Sequence, residues 1–404
     1  MEFFKHVLSN GIRCIHKRVK SPVTYCSLTI NAGSRDETDK EFGAAHFAEH
    51  ALFKGTTHRK AHHINSRLEK LGGDLNAFTT KEETAVHATT LKGDFPKAAE
   101  LISDIVFDST YPEKEIEKER DVIIDEINSY KDSPPDMIYD EFEDMLFSGS
   151  ELGHNILGTK ASVSKFTGND IRNFTNRCYN TENMVFAVSG NLSEANFVKY
   201  TERFFGDRYT VGRSTARRTP AEYKPFDKTY NKHTHQAHCI LGGRAYDHNH
   251  PKRVVLSLLT NMLGGPAANS MLNLLLREKN ALTYGIDASY TPYSDSGVAS
   301  IYFGTDKDKV EKCLSLIENV LNKLKTVQLT TRQLSVAKKQ LIGQLSISMD
   351  NREGYMLSAA KSYMIYDDVD SPAEIYRKIE AISAQDILDT TNEIFADMSY
   401  LIYN

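Results

Sequence analysis

A chain of 404 residues is too long for one ordinary hydrophobic core and points to two or three domains. A net charge of −5 with no basic run carrying interleaved aromatics gives no reason to expect nucleic acid, and no stretch of about 18 apolar residues is present to span a membrane. Cys14, Cys26, Cys178, Cys239 and Cys313 are scattered with no C-x-x-C pair, and Met1 to His6 lacks the apolar core of a secretory signal, so the chain reads as soluble, reduced and cytoplasmic.

Leu8-Ser9-Asn10-Gly11 reads as a turn between two short strands, the second beginning at Ile12. Tyr25 to Ile30 is a β-like run closed by a loop at Gly33. The acidic stretch Asp36 to Glu41 precedes a helix over Phe42 to Phe53, placing negative charge near a helix N-terminus. That helix carries His46-Phe47-Ala48-Glu49-His50. Its two imidazoles are one turn apart, with Glu49 beside them and Ala44, Phe47, Ala48 and Ala51 on the opposite, core-facing side. Two histidines at this spacing with an adjacent carboxylate suit a zinc site with a general base, in the H-x-x-E-H order. A surface helix with two histidines and an acid is the competing reading of these five residues.

A second helix runs from about Ala61 to Leu71, and Leu75 to Thr80 and Thr84 to Leu91 form paired strands. Helices follow over Phe95 to Phe107 and Pro112 to Tyr130, the latter stopping before Pro134-Pro135. Glu119 and Glu126 share one face of that long helix, with Ile123 and Ile127 placed to pack. Leu152 to Gly158 is a turn-rich loop. After a helix, a strand and another helix over Ala195 to Phe205, the chain turns polar and basic, which marks residues 211–231 as a linker.

Beyond the linker the order of elements repeats. The unit Tyr25 to Gly55 corresponds to His238 to Gly265, Phe95 to Phe107 to Lys309 to Leu324, and Pro112 to Tyr130 to Thr331 to Met349. Where the first half has His46, Glu49 and His50, the second has the apolar run Val254 to Leu259, and Glu126 meets Gln344. The expected fold is α+β. It comprises two homologous tandem domains, residues 1–210 and 232–404, each a mainly antiparallel sheet packed by helices on one side. The zinc site belongs to the first only.

His46 to His50 continued by Ala51-Leu52-Phe53-Lys54-Gly55-Thr56 resembles the zinc helix of the pitrilysin and mitochondrial-processing-peptidase family, the inverzincins. Glu126 lies 76 residues beyond His50 and seven beyond Glu119, the spacing of that family's third ligand in its E-x6-E helix. Leu8 to Arg13 resembles the family's N-terminal strand pair, Leu75 to Thr79 its active-site edge strand, and Arg277 with Tyr284 the Arg/Tyr pair that faces the metal. The likeness covers essentially the whole chain.

The resemblance implies a zinc endopeptidase with one Zn2+ per chain, bound by His46, His50 and Glu126. Glu49 is then the general base and Glu119 the carboxylate that orients the ligands. Arg277 and Tyr284 hold the substrate carbonyl or oxyanion, and Asn76, Ala77, Phe78 and Thr79 bind an extended peptide or unfolded segment by strand addition. The family closes a chamber with four such domains, so two chains are expected to pair, as a homodimer or with a related subunit. One departure is the Leu263 to Met271 loop, where Pro266 stiffens the family's glycine-rich turn and Met271 replaces a frequent arginine. The alternative is a non-catalytic scaffold or assembly subunit on the same fold. Nothing resembles a cofactor or phosphate loop.

Other polar clusters read as structural. His233, His235 and His238 form an H-x-H-x-x-H run at a strand start, His248 and His250 follow a turn, and His58, His62 and His63 sit near a helix start. Glu82-Glu83 flanks a strand turn.

Overall fold

The computed structural model describes residues 3–210, 217–232 and 234–404. His233 and residues 211–216 of the expected linker lie outside the described residues. The chain forms two compact units that are not contiguous in sequence. Unit 1 holds Met1–Ser129, His154–Arg218 and Ile347–Ser371, and unit 2 holds Tyr130–Gly153, Thr219–Ser346 and Pro372–Asn404.

Unit 1 is built on a six-stranded sheet of β1 (Phe4–Val7), β2 (Arg13–Arg18), β3 (Val23–Ile30), β4 (Asp74–Thr79), β5 (Thr84–Leu91) and β6 (Met184–Gly190), in the order β1-β2-β6-β3-β5-β4. Among the described residues of this sheet, only β2 and β6 pair in parallel. Strand residues alternate between two faces, and both are buried. Met184, Phe186 and Val188 of β6 join one core, which contains α1 (Ala44–Ala51), α2 (Ala61–Glu69), α3 (Phe95–Phe107), α4 (Glu113–Lys131), α7 (Gly168–Cys178) and α8 (Glu194–Phe205), while the short α6 (Lys160–Val163) adds Val163. Val185 and Ala187 face the other way. There, with Ile15, they pack against Met356, Ala359, Ala360 and Tyr363 of α12 (Arg352–Tyr366).

Unit 2 repeats the plan. Its strands β7 (Asp227–Tyr230), β8 (Ala237–Arg244), β9 (Thr283–Pro292), β10 (Gly297–Thr305) and β11 (Ser399–Tyr403) run in the order β7-β11-β8-β10-β9, again with one parallel pair, β7 with β11. Helices α9 (Arg253–Gly264), α10 (Val310–Thr326), α11 (Thr331–Ser348), α13 (Pro372–Glu380) and α14 (Ala384–Ile394) share the core on one face of the sheet. The opposite face, Ile240, Leu401 and Tyr403, packs on Ile138, Phe142 and Leu146 of α5 (Pro134–Leu146). The β3-α1-β4-β5-α3-α4 series of unit 1 thus recurs as β8-α9-β9-β10-α10-α11, the repeat legible in the sequence.

Two expectations need correction. A contiguous division at 211–231 does not describe the packing, because α5 belongs to the second unit and α12 to the first. Nor are helices confined to one side: each sheet carries its main helical layer on one face and a single helix from the other half of the sequence on the reverse. Both sheets present apolar side chains on both faces, and each needs that helix to remove the second set from water. No helix among the described residues is long and apolar enough to cross a membrane.

Candidate metal centre

Alanine dominates the inner face of α1. Ala44, Ala45, Ala48 and Ala51 are fully buried with Phe47, whose ring meets Phe166 edge-on at 5.9 Å. Small side chains bring the helix backbone close to its neighbours, which leaves the longer His46, Glu49 and His50 on the remaining side. On α4 the buried positions are Ile116, Glu119, Ile123 and Ile127, a helical stripe seated in the core. Glu126 adjoins that stripe and stays partly exposed. The expectation that Glu119 and Glu126 share a face packed by Ile123 and Ile127 agrees with this seating.

Within unit 1 these two helices bring three donors together. Glu126 Oε2 lies 3.7 Å from His46 Nε2 and 3.8 Å from His50 Nε2. Both separations are too long for hydrogen bonds, yet one ligand atom from each residue lies within 4.8 Å of the others. The chemistry of the set, two imidazoles and a carboxylate, fits a zinc ion with a coordination position left open. The outer partners fit as well. His50 Nδ1 sits 2.8 Å from Glu119 Oε1, which assigns the Nδ1–H tautomer and leaves Nε2 free to bind. The other oxygen of Glu119 receives Lys54 Nζ at 2.5 Å. His46 Nδ1 is buried without a hydrogen-bond partner among the described residues.

The local electrostatics follow from burial and from these partners. Burial, then the neighbouring His50, lowers the pKa of His46 to about 3, so it is neutral at any physiological pH. Burial also pulls His50 down, but the hydrogen bond and charge of Glu119, with Glu49 and Glu126, outweigh it and leave its pKa raised. Glu119 is held below the usual carboxylate range: burial raises it, and His50 and Lys54 more than offset that. Glu49 is raised by burial, against the opposing effects of Thr79 and His50.

The remaining expected site residues are placed as follows. Asn76 to Thr79 lie on β4, which among the described residues pairs with β5 only and so stands at the edge of the sheet. Thr79 is the member of that strand beside Glu49. Arg277 falls on a π-helical segment, Asn273–Lys279, and Tyr284 on the second residue of β9. Both belong to unit 2, and both are largely exposed. In unit 2 the amide of Asn261 donates to Gln344 at 2.8 Å, an uncharged pair bridging α9 and α11.

The site also uses residues that sequence reasoning did not single out. Lys54 follows the motif but had no signal beyond the resemblance. Glu37 belongs to the acidic stretch read as a general charge effect. It is buried, and accepts backbone N–H bonds from Gly43 at 3.0 Å and Ala45 at 2.8 Å. His154, in the turn-rich loop, has no periodicity to reveal it, and meets Glu37 at 2.7 Å. A second group of His58, Asp104 and Asp108 also clusters, but Arg59 lies 2.6 Å from Asp104 and Arg208 2.7 Å from Asp108, which makes it an ion-pair network. His238 is satisfied by the Tyr302 hydroxyl at 2.8 Å.

A model of the insulinase family, peptidase family M16, matches residues 14–160, and a model described as the peptidase M16 inactive domain matches residues 165–341. An uncharacterized zinc protease of Bacillus subtilis is 30% identical over 97% of this chain and 96% of its own length. An uncharacterized zinc protease of Rickettsia bellii is 33% identical over 92% of this chain and 89% of its own. In fold, the crystal structure of a protease from Helicobacter pylori superposes with a TM-score of 0.91 at 22% identity, covering 100% of this chain and 99% of that one. With the family matched across both halves and relatives at this identity spanning nearly the whole chain, the protein belongs to peptidase family M16, a family of zinc proteases.

Proposed function

We propose that this chain is a zinc-dependent endopeptidase that cuts extended peptides or unfolded segments. The observation that carries the reading is that Glu126 Oε2 lies 3.7 Å from His46 Nε2 and 3.8 Å from His50 Nε2, in a set whose ligand atoms all lie within 4.8 Å of one another. These three residues hold the zinc. When bound, the metal supplies Lewis acidity, polarising the scissile carbonyl and making water acidic enough to deprotonate near neutral pH. Glu49 is the general base: it takes a proton from the attacking water and returns it to the leaving amine. Its burial supports that role, since a carboxylate raised toward neutrality is better matched to moving a proton there and back. Glu119 holds the His50 ring by its Nδ1–H and so keeps Nε2 aimed at the site.

The edge strand β4 gives the substrate a place to lie. Backbone groups of Asn76 to Thr79 pair with an extended peptide, a mode that reads extension more than side chains and so selects unfolded segments. Thr79, at the Glu49 end of the strand, sets which peptide bond reaches the base. Arg277 and Tyr284 carry donors suited to an oxyanion. They act from a partner chain in a homodimer whose two copies enclose the substrate.

The test pairs metal analysis with cleavage of quenched peptides by wild type and Glu49→Gln. The expected result is about one zinc per chain in both, with cleavage only by wild type. Wild-type protein that holds zinc and cuts nothing in a broad peptide library would favour the scaffold alternative. Wild-type protein that binds no zinc would overturn the ligand assignment.

A further inference from the structure

The N-terminus of α1 poses a problem that its own sequence does not solve. A helix begins with N–H groups that lack intrahelical acceptors, and the residue before the first turn here is Gly43, which has no side chain to cap them. Gly43 is also in the left-handed region at φ +95°, and a Cβ there would come within 2.7 Å of the Leu157 carbonyl oxygen. Gly158, at φ +71°, is packed as tightly from the other side: a Cβ on it would fall 2.3 Å from the Phe42 carbonyl oxygen. Two glycines thus let the 154–158 segment press directly onto the start of the helix.

Glu37 fills the capping role from six residues upstream. One carboxylate oxygen accepts the Gly43 N–H and the other the Ala45 N–H, and both of its oxygens are buried. A buried carboxylate needs more than two neutral donors, and His154 supplies the third, with Nε2 at 2.7 Å from Glu37 Oε2. The His154 ring stacks on Phe42 at 4.3 Å between centroids. Its backbone carbonyl accepts from Lys81 Nζ at 2.5 Å, and Lys81 sits two residues past the end of β4. One buried cluster therefore ties together the start of the metal helix, the 154–158 loop and the end of the edge strand. His46 is the third residue of that helix, one position beyond the Ala45 N–H that Glu37 grips.

We propose that Glu37 and His154 are positioning residues that set where α1 stands, and so whether His46 and Glu49 meet Glu126 and Thr79 in register. The proposal rests on the zinc-peptidase reading above. It concerns residues that touch neither metal nor substrate. Their effect is transmitted by the backbone of the first turn of α1.

The full-length chain is tested as Glu37→Gln, His154→Ala and His154→Gln, the last keeping an N–H near the Nε2 position. Zinc affinity is measured by competition with a chromophoric chelator, alongside thermal melting of the metal-free protein and amide exchange at Gly43 and Ala45. The expected result is a loss of about 10- to 100-fold in zinc affinity for Glu37→Gln and a smaller loss for His154→Ala. His154→Gln should recover affinity toward wild type, and both amides should exchange faster in the two weakened variants. Among folded variants, kcat should fall while KM stays within about twofold, because the substrate strand is intact. Should Glu37→Gln not fold, the two His154 variants decide. Folded variants with lower melting temperature but wild-type zinc affinity would overturn the positioning role and leave a merely structural one. Wild-type protein without zinc affinity would instead overturn the zinc reading itself, and this inference with it.

Discussion

Replacing Glu119 by glutamine isolates the one interaction that links proton and metal chemistry at the site. Glu119 is 6% exposed, and accepts from His50 Nδ1 at 2.8 Å and from Lys54 at 2.5 Å. A glutamine of the same shape has one accepting oxygen for two donors and no charge. Losing one buried charge-assisted bond costs about 1.5–3 kcal/mol, roughly a 10- to 150-fold loss in zinc affinity near neutral pH. The pH dependence carries a separate sign. In the metal-free protein the pKa of His50 is raised above the ordinary histidine value, by Glu119 first among the favourable causes. A proton on His50 competes with zinc, so wild-type affinity is full above that raised pKa and falls about tenfold per pH unit below it. His46, held at about 3, does not compete in this range. In Glu119→Gln the largest support for protonated His50 is gone and only the charges of Glu49 and Glu126 remain, so the onset of competition moves to lower pH even as the plateau affinity drops. The metal-free fold follows the same linkage: the stability contributed by His50 is present below the ordinary histidine pKa and lost as pH rises through its raised value. Zinc titrations against a competing chelator from about pH 5 to pH 9 read both effects. A plateau unchanged from wild type, or an onset that moves upward, would show that Glu119 does not couple His50 to the metal in this way.

Three further outcomes are expected. Met356→Ala on α12 and Phe142→Ala on α5, both fully buried against the second faces of their sheets, should each lower unfolding free energy by about 2–5 kcal/mol in denaturant titrations. Losses under about 1 kcal/mol at both would contradict the exchanged packing. Glu126→Gln should lower zinc affinity by at least 10-fold with the metal-free melting temperature nearly unchanged, because its side chain is 44% exposed and packs little. A zinc affinity equal to wild type would remove it from the ligand set. Tyr284→Phe should lower kcat on peptides without altering zinc content, and mixing it with Glu49→Gln chains should restore part of the activity if sites are completed by a partner chain. No recovery after verified subunit exchange would count against completion in trans.

Much of this molecule was legible in one dimension because its signals are periodic. Imidazoles one turn apart on an alanine-rich helix share a side in any helix, and acids seven apart on α4 do the same, but it was the family resemblance that singled out Glu126 among those acids as the expected third ligand. The repeat was equally open, since the order of strands and helices survives even where His46 and His50 give way to an apolar run. Boundaries were harder. Pro134-Pro135 read as a stop, and they do end the helix before them, but Pro134 also opens α5, where a missing N–H costs nothing.

Which side chains from distant segments share a buried space is set by the packing of the folded chain. Nothing in the residues of α5 or α12 says which sheet each covers, and each covers the sheet of the unit built mainly from the other half of the chain. The same holds at the site. His154 is an unremarked loop residue in sequence, and becomes the third donor to a buried carboxylate only because two glycines let its segment lie against α1. Local pattern sets the faces of helices and strands through backbone geometry alone. The pairing of those faces depends on close packing and on the need of every buried charge for partners, and neither is written at any fixed spacing along the chain.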